Sequence, residues 1–349
     1  MDDDRRPGES GILARILPLL TAGVDLVGGG GTEVGPGDDA AVLRLPSDRL
    51  VVTTDTVVEG HDFLREATCP HWIGHRAAVQ NLADIAAMGA RPLALVAAVS
   101  ARADTPVDAF EELTTGLVQR AAADGAVVVG GDLGRAEQLT VTVTALGTLD
   151  AGQEPILRSG ARPGDVLAIG ASRLGRSAAG LALVLTGRVR VDSGTSTAVV
   201  GSPPVVTVEG IEDPSAPSLV AWHDAPDPEL SRGWGSGRRA SAMMDLSDGL
   251  VRDGGRLAAA SAVHLDLDRS TLAQDVEPLA GVAAELGADA WRWVLHGGEE
   301  HAMLATFPPG DVPPGFRSIG RVMAQTGPDD PLLSLDGEAI AGRGFDHFA

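Results

Sequence analysis

Apolar residues at Ile12, Leu13, Ile16, Leu17 and Leu20 recur at three- and four-residue spacing, so Glu9 to Leu20 is predicted to form an amphipathic helix. A glycine-rich loop is expected from Gly23 to Gly37. Two apolar runs of strand length follow, Ala40 to Leu45 and Leu50 to Thr54, with Pro46-Ser47-Asp48-Arg49 as the turn between them. Antiparallel pairing of these two would bring Asp39 and Asp55 to the same end of a sheet. Trp72 to Met88 carries helical spacing and stops at Gly89. Pro92 to Val99 reads as a strand, and Pro106 to Ala123 as a helix with Thr105 as its cap. A short strand, Val127 to Val129, ends in Gly130-Gly131-Asp132, and Leu139 to Leu149 alternates as a half-buried strand does.

The organisation restarts after Gly152. A turn-rich hinge at Arg158 to Asp165 leads into a strand at Val166 to Gly170 and a helix at Ser177 to Leu185, with Ser177 as a cap. Gly187 to Arg239 loses periodicity and is expected to be an extended connection. Order resumes with a strand at Ala242 to Met244, a helix at Leu250 to Ala260, strands at Val263 to Leu267, Met303 to Phe307 and Ser318 to Val322, and a helix at Pro278 to Leu286. Asp336-Gly337 has the residues of a hairpin turn. Strands and helices mix without strict alternation, which predicts an α+β fold. At 349 residues the chain exceeds a usual single core, so two domains are expected, 1–150 and 151–349.

Composition narrows the function. Hydrophobic content of 44% and charged content of 21% are those of a globular protein. No apolar run reaches the roughly 18 residues that span a bilayer, and the acidic start Met1-Asp2-Asp3-Asp4 is unlike a secretory signal. The single cysteine, Cys69, forbids an intrachain disulfide and a multi-cysteine zinc site. A cytoplasmic location without membrane association is the expectation. Net charge is -21, and all 27 basic side chains are arginine. A Walker-type phosphate loop, the protein-kinase strand site and Schiff-base chemistry each need a lysine and are excluded. The acidity also argues against a nucleic-acid surface. If the chain handles phosphates, metal ions must supply much of the positive charge.

The placement of the carboxylates points to such metals. Gly37-Asp38-Asp39, Thr53-Thr54-Asp55, Asn81-Leu82-Ala83-Asp84, Gly130-Gly131-Asp132 and Asp245-Leu246-Ser247-Asp248-Gly249 each set a carboxylate at the border of an apolar segment. Asp84 lies near a helix C-terminus, where the dipole disfavours it; that marks a functional candidate, with a solvated surface aspartate as the alternative. Aspartates with threonine or serine hydroxyls supply the hard oxygens magnesium prefers.

These motifs, in order with Glu59-Gly60, Arg158-Ser159-Gly160-Ala161, Gly297-Gly298-Glu299 and Gly344-Phe345-Asp346-His347-Phe348, resemble the thiamine-monophosphate kinase family. The resemblance covers nearly the whole chain. It implies the aminoimidazole-ribonucleotide-synthetase-like superfamily, with two α/β domains, the N-terminal one dimerising through its sheet and binding ATP and metal, and the C-terminal one completing the cleft. It implies ATP and thiamine monophosphate as substrates, thiamine diphosphate and ADP as products, several magnesium ions and a homodimer. By position, Asp39, Thr53, Thr54, Asp55, Asp84, Asp132, Asp245 and Asp248 match the family's magnesium ligands. Gly131, Asp132, Arg158 and Ser247 match nucleotide contacts; Asp62, Glu299 and Phe345 match positions that contact the thiamine substrate. Asp39 is thus the expected ligand of the first pair, and Asp38 a residue that shapes the turn.

Three places depart from the family pattern. The histidine of Glu-Gly-x-His-Phe comes one position early, at His61, leaving Asp62 in its place. Glu300 stands where aspartate is more usual, and Ala225 where an arginine precedes the proline. Two other readings accompany the kinase: another ATP-dependent enzyme of the superfamily, and a nucleotide- or thiamine-phosphate-binding protein without turnover. Cys69 fits neither the reactive cysteine of the selenophosphate synthetases nor the C-terminal cysteine of the hydrogenase-maturation relatives.

Overall fold

A computed structural model describes residues 9–20, 30–36, 40–170, 173–192, 204–325, 327 and 331–340. The chain contains α1 (Glu9–Leu20), β1 (Gly31–Val34), β2 (Val42–Arg44), β3 (Leu50–Val58), α2 (Pro70–Ala87), β4 (Arg91–Ala101), α3 (Val107–Ala123), β5 (Val127–Arg135) and β6 (Thr140–Thr148). It continues with β7 (Val166–Gly170), α4 (Arg176–Val184), β8 (Val189–Asp192), β9 (Val205–Val208), α5 (Ala216–Asp224), α6 (Ser231–Trp234), β10 (Ala242–Asp245), α7 (Leu250–Ser261) and β11 (Val263–Leu267). The last elements are α8 (Arg269–Val276), α9 (Ala280–Leu286), α10 (Ala290–His296), β12 (Met303–Phe307), β13 (Arg317–Ala324), β14 (Leu333–Leu335) and β15 (Glu338–Ala339). The mixture is α+β, as the pattern predicts.

Two compact units divide these elements, one within Met1–Leu82, Arg91–Ala151 and Arg190–Thr207, the other within Ala83–Ala90, Gly152–Val189 and Val208–Ala349. The first holds a four-stranded sheet in the order β3-β6-β4-β5. All its pairs are antiparallel except β4 with β5. Strand alternation buries Val141, Val143 and Ala145 of β6 and turns Thr140, Thr142 and Thr144 to the other face. On that open face Thr144 and Thr142 stand opposite Thr54 and Thr56 of β3. The second unit holds a seven-stranded sheet, β10-β12-β7-β13-β11-β14-β15, antiparallel except where β11 meets β14. Its core gathers Leu167, Ile169, Leu265, Leu304 and Phe307, with Phe316 set edge-on to Phe307 at 5.0 Å between ring centres.

Several expectations are corrected. Strand β2 pairs with β1, not with β3, and β3 takes β6 as its neighbour. β1 itself lies inside the stretch expected to be loop. Strand β3 continues to Val58, so Asp55 sits within a strand rather than after one. Likewise β5 runs through Gly130-Gly131-Asp132 instead of ending there. In both places the partner strand is long enough to extend the ladder past the polar residues, and tertiary pairing overrides local propensity. The caps differ too: Pro106 precedes α3 and Gly175 precedes α4, neither with a side-chain cap bond, so Thr105 and Ser177 do not cap. The expected connection from Gly187 to Arg239 contains α5, α6, β8 and β9 among its described residues. Helices α8 and α10 were not anticipated; each starts at an aspartate, Asp268 and Asp289, whose side chain accepts backbone N–H bonds of the first turn.

Candidate functional site

In the first unit, β3 carries Thr53, Thr54 and Asp55. The Asp55 N–H donates to Asn81 Oδ1 at 2.9 Å, and Asn81 Nδ2 donates to Ala77 O one turn back on α2. This polar tie fixes the Asp55 backbone, and the Asp55 residue is exposed. Thr54 Oγ1 donates to Val143 O at 2.9 Å, and Thr144 Oγ1 donates to Thr54 Oγ1 at 3.2 Å. On β5, Gly131 lies so close to β4 that a Cβ there would meet Ala97 O at 1.9 Å, so only glycine fits. Asp132 follows, exposed. Registers place Asp55 on the rung of Gly131 and Thr56 on the rung of Asp132, so the pleat sets Asp55 and Asp132 on opposite faces.

The turn after β3 places Asp62. Its Oδ2 accepts the Val58 N–H at 2.7 Å, which closes the turn, while His61 is exposed. Glu59 is held by Arg65 at 3.0 and 2.8 Å, and that hydrogen bonding keeps its carboxyl below the usual glutamate value. Asp39 and Phe345 lie outside the described residues, as do Gly37 and Asp38.

The second unit contains Asp84, half-buried in the last two turns of α2. Arg158 is exposed; its carbonyl accepts Ser261 Oγ at 2.7 Å, which anchors the turn that starts this unit to α7. A polar region of this unit joins two sequence-distant segments. Strand β10 ends at Asp245, and the segment Leu246 to Gly249 leads into α7. The Gly297-to-His301 segment runs beside it: Glu299 N–H donates to Ser247 O at 2.8 Å, His301 N–H to Leu246 O at 2.9 Å, and Leu246 N–H to Ala302 O at 2.9 Å. Gly298 permits the approach, because a Cβ there would lie 2.3 Å from Ser247 O. Glu299 and His301 both take left-handed backbones, φ 60° and 49°, uncommon for residues with a side chain.

Side chains extend this junction. His301 Nδ1 lies 3.4 Å from Asp245 Oδ2, both groups buried. Glu299 Oε2 lies 3.6 Å from His223 Nδ1, which is also 3.1 Å from Ser177 Oγ. Asp248 Oδ2 receives Arg256 Nη1 at 2.6 Å and faces Arg252 Nε at 3.7 Å. Arg256 also reaches Asp253, whose Oδ2 accepts the Asp248 N–H at 2.8 Å. Burial, reinforced by the nearby Asp245 charge, pushes the Asp253 carboxyl up to about 6. Glu300 is buried, and burial raises its carboxyl as well. Sequence reasoning missed Asp253, Arg256, His223, Trp222 and His301. The first two could have been found, since Asp253 interrupts the apolar face of a helix and Arg256 follows it at helical spacing.

Magnesium has a suitable oxygen chemistry in these aspartates. Among the described residues, however, no group of three or more His, Cys, Asp or Glu side chains stands close enough to hold a metal ion. Asp245 faces the imidazole of His301 and Asp248 the guanidinium of Arg256.

Residues 37–149 match the family described as AIR synthase related protein, N-terminal domain. The thiamine-monophosphate kinase of Mycobacterium tuberculosis is 42% identical over 311 residues, 88% of this chain and 84% of that protein. Among solved structures, the thiamine-monophosphate kinase of Stenotrophomonas maltophilia aligns with a TM-score of 0.71 at 28% identity, over 94% of this chain and 97% of the other. The structure of AaThiL complexed with AMPPCP and TMP aligns with a TM-score of 0.72 at 27% identity, over 98% and 97% of the two chains. Identity at this level, sustained over most of both chains and accompanied by the same fold, means that the chain belongs to the thiamine-monophosphate kinase family.

Proposed function

We propose that the chain transfers the terminal phosphoryl group of ATP to thiamine monophosphate, giving thiamine diphosphate and ADP. One observation carries the reading: the backbone of Glu299, the residue matched to thiamine contact, is bonded to Ser247, the residue matched to nucleotide contact. A reaction between two phosphates needs both substrates held on one rigid frame. The family membership and the ligands named for AaThiL support the same substrates.

In this reading Gly131, Asp132, Arg158 and Ser247 hold the nucleotide, and Asp62, Glu299 and Phe345 the thiamine phosphate. Asp39, Thr53, Thr54, Asp55, Asp84, Asp132, Asp245 and Asp248 are the residues that would hold magnesium. When bound, magnesium would add positive charge against the phosphates in a chain whose net charge is -21. The accepting phosphate oxygen is largely ionised near neutral pH, its second pKa being about 6, so no general base is required. Direct in-line transfer then needs positioning and charge neutralisation rather than a covalent intermediate.

The domain roles follow: 1–150 for ATP, metal and dimerisation, 151–349 for completing the substrate cleft. A homodimer through the first sheet is supported by its open face, where Val52 is 57% and Val96 39% exposed. A cytoplasmic location accords with the substrates; no helix among the described residues is long and apolar enough to cross a membrane. The test is incubation with ATP, magnesium and thiamine monophosphate, with thiamine diphosphate and ADP expected. Binding of both substrates without product would replace the kinase reading with a non-catalytic one.

A further inference from the structure

Glu300 is one of the most enclosed acids in the second unit, with 2% of its surface exposed. It nevertheless sits in a turn between two residues of left-handed backbone, Glu299 and His301. Such conformations persist only where surrounding contacts impose them. On one side of the turn those contacts are the backbone bonds to Leu246 and Ser247. On the other side they come from Glu300 itself. Its Oε1 accepts the Ser177 N–H at 2.8 Å, in the first turn of α4, and its Oε2 accepts Trp222 Nε1–H at 2.8 Å, on α5. Arg176 stacks on the Trp222 ring, with Cζ 3.2 Å from the ring centre, and its Nε lies 3.9 Å from Glu300 Oε2. The same two helices supply His223, which faces Glu299, and Ser177, whose hydroxyl lies 3.1 Å from His223 Nδ1. Unlike Glu300, Glu299 keeps about a quarter of its side chain open, at 25%.

We infer that Glu300 is a positioning residue: by joining α4 and α5 to the turn, its carboxylate holds Glu299 in the pose that recognises the thiamine moiety, without touching the substrate. The inference rests on the thiamine-monophosphate kinase reading and deepens it. It also gives a role to a position where the chain departs from its family pattern. A glutamate reaches two N–H donors on separate helices, and an aspartate, one methylene shorter, cannot keep both at 2.8 Å without moving the turn.

The test is steady-state kinetics and calorimetric binding of thiamine monophosphate to the full chain and to E300Q and W222F. The amide of E300Q has one acceptor oxygen for two donors, so one bond is lost while a buried charge disappears. W222F removes the indole donor and leaves Glu300 in place, which keeps the test alive if E300Q does not fold. The expected result in both is a rise of about fivefold or more in KM and Kd for thiamine monophosphate, with KM for ATP unchanged within about twofold. Unchanged KM and Kd for thiamine monophosphate would overturn the inference, as would equal losses for both substrates, which would mark a merely structural role. A wild-type chain that neither binds nor converts thiamine monophosphate would overturn the kinase reading and the inference with it.

Discussion

Arg317 and Asp275 offer the most demanding test of the second unit's packing. Arg317, at the start of β13, donates through Nη2 to both Asp275 oxygens at 2.7 and 2.6 Å, and Asp275 Oδ1 also accepts the Leu174 N–H at 3.0 Å. The aspartate side chain is fully buried and the arginine 20% exposed. Replacing Arg317 with Met leaves a buried carboxylate with a single N–H partner. Removing one partner of a buried pair costs about 3–5 kcal/mol, and the surviving Leu174 bond places this site near the lower end, about 3 kcal/mol. The double variant D275N/R317M, which buries no charge, is expected to recover about half of the loss. Urea unfolding followed by tryptophan fluorescence measures it, because Trp222, Trp234, Trp291 and Trp293 all lie in this unit. The pH dependence has a definite sign. Burial raises the Asp275 carboxyl, opposed by Arg317, so without the arginine the folded state favours the protonated acid still more. The R317M deficit is therefore full at neutral pH and shrinks as pH falls toward the unfolded carboxylate value of about 4. A loss below about 1 kcal/mol at pH 7, or a deficit that grows on acidification, would refute the buried-pair account.

Other consequences are equally direct. Gly131→Ala places a methyl group 1.9 Å from Ala97 O, and the β4–β5 register cannot absorb it; a loss of about 3 kcal/mol or more and reduced soluble yield are expected in denaturation and expression assays. Asp253, raised from 3.8 to about 6, carries a penalty of about 3 kcal/mol when ionised. That penalty is absent below about pH 4 and complete above about pH 6, so stability falls as pH rises through this window; Asp253→Asn flattens the fall in metal-free unfolding curves. Asp55→Asn should abolish most turnover with modest change in melting temperature, since the Asn81 bond is to the Asp55 backbone; magnesium dependence identical to wild type would refute its proposed role.

The elements legible in the sequence were those with a strong local period, and their failures share one cause. Helix α2 and strand β6 have apolar positions that repeat cleanly, and both occur nearly at their expected bounds. Strands β3 and β5 exceed theirs because ladder bonds from β6 and β4 carry them through Asp55 and Gly130-Gly131-Asp132, residues that alone signal a strand end. Helix α5 was invisible because its buried face, Ala216, Leu219, Val220, His223 and Asp224, includes polar and charged residues whose burial depends on tertiary partners, which breaks the apolar stripe in the sequence. The site follows the same division. Motif residues on the Asp245 segment and the Gly297 segment could each be picked out singly, yet nothing local says that Glu299 hydrogen-bonds Ser247, or that Glu300 reaches Trp222 across 78 positions. Those contacts are fixed by the order of strands β10, β12 and β7, which brings the end of β10 against the approach to β12. Strand pairing is therefore the step at which separate acidic and glycine motifs become one frame. A residue such as Glu300 acquires its meaning only after that step, because its partners belong to helices whose positions the sheet decides.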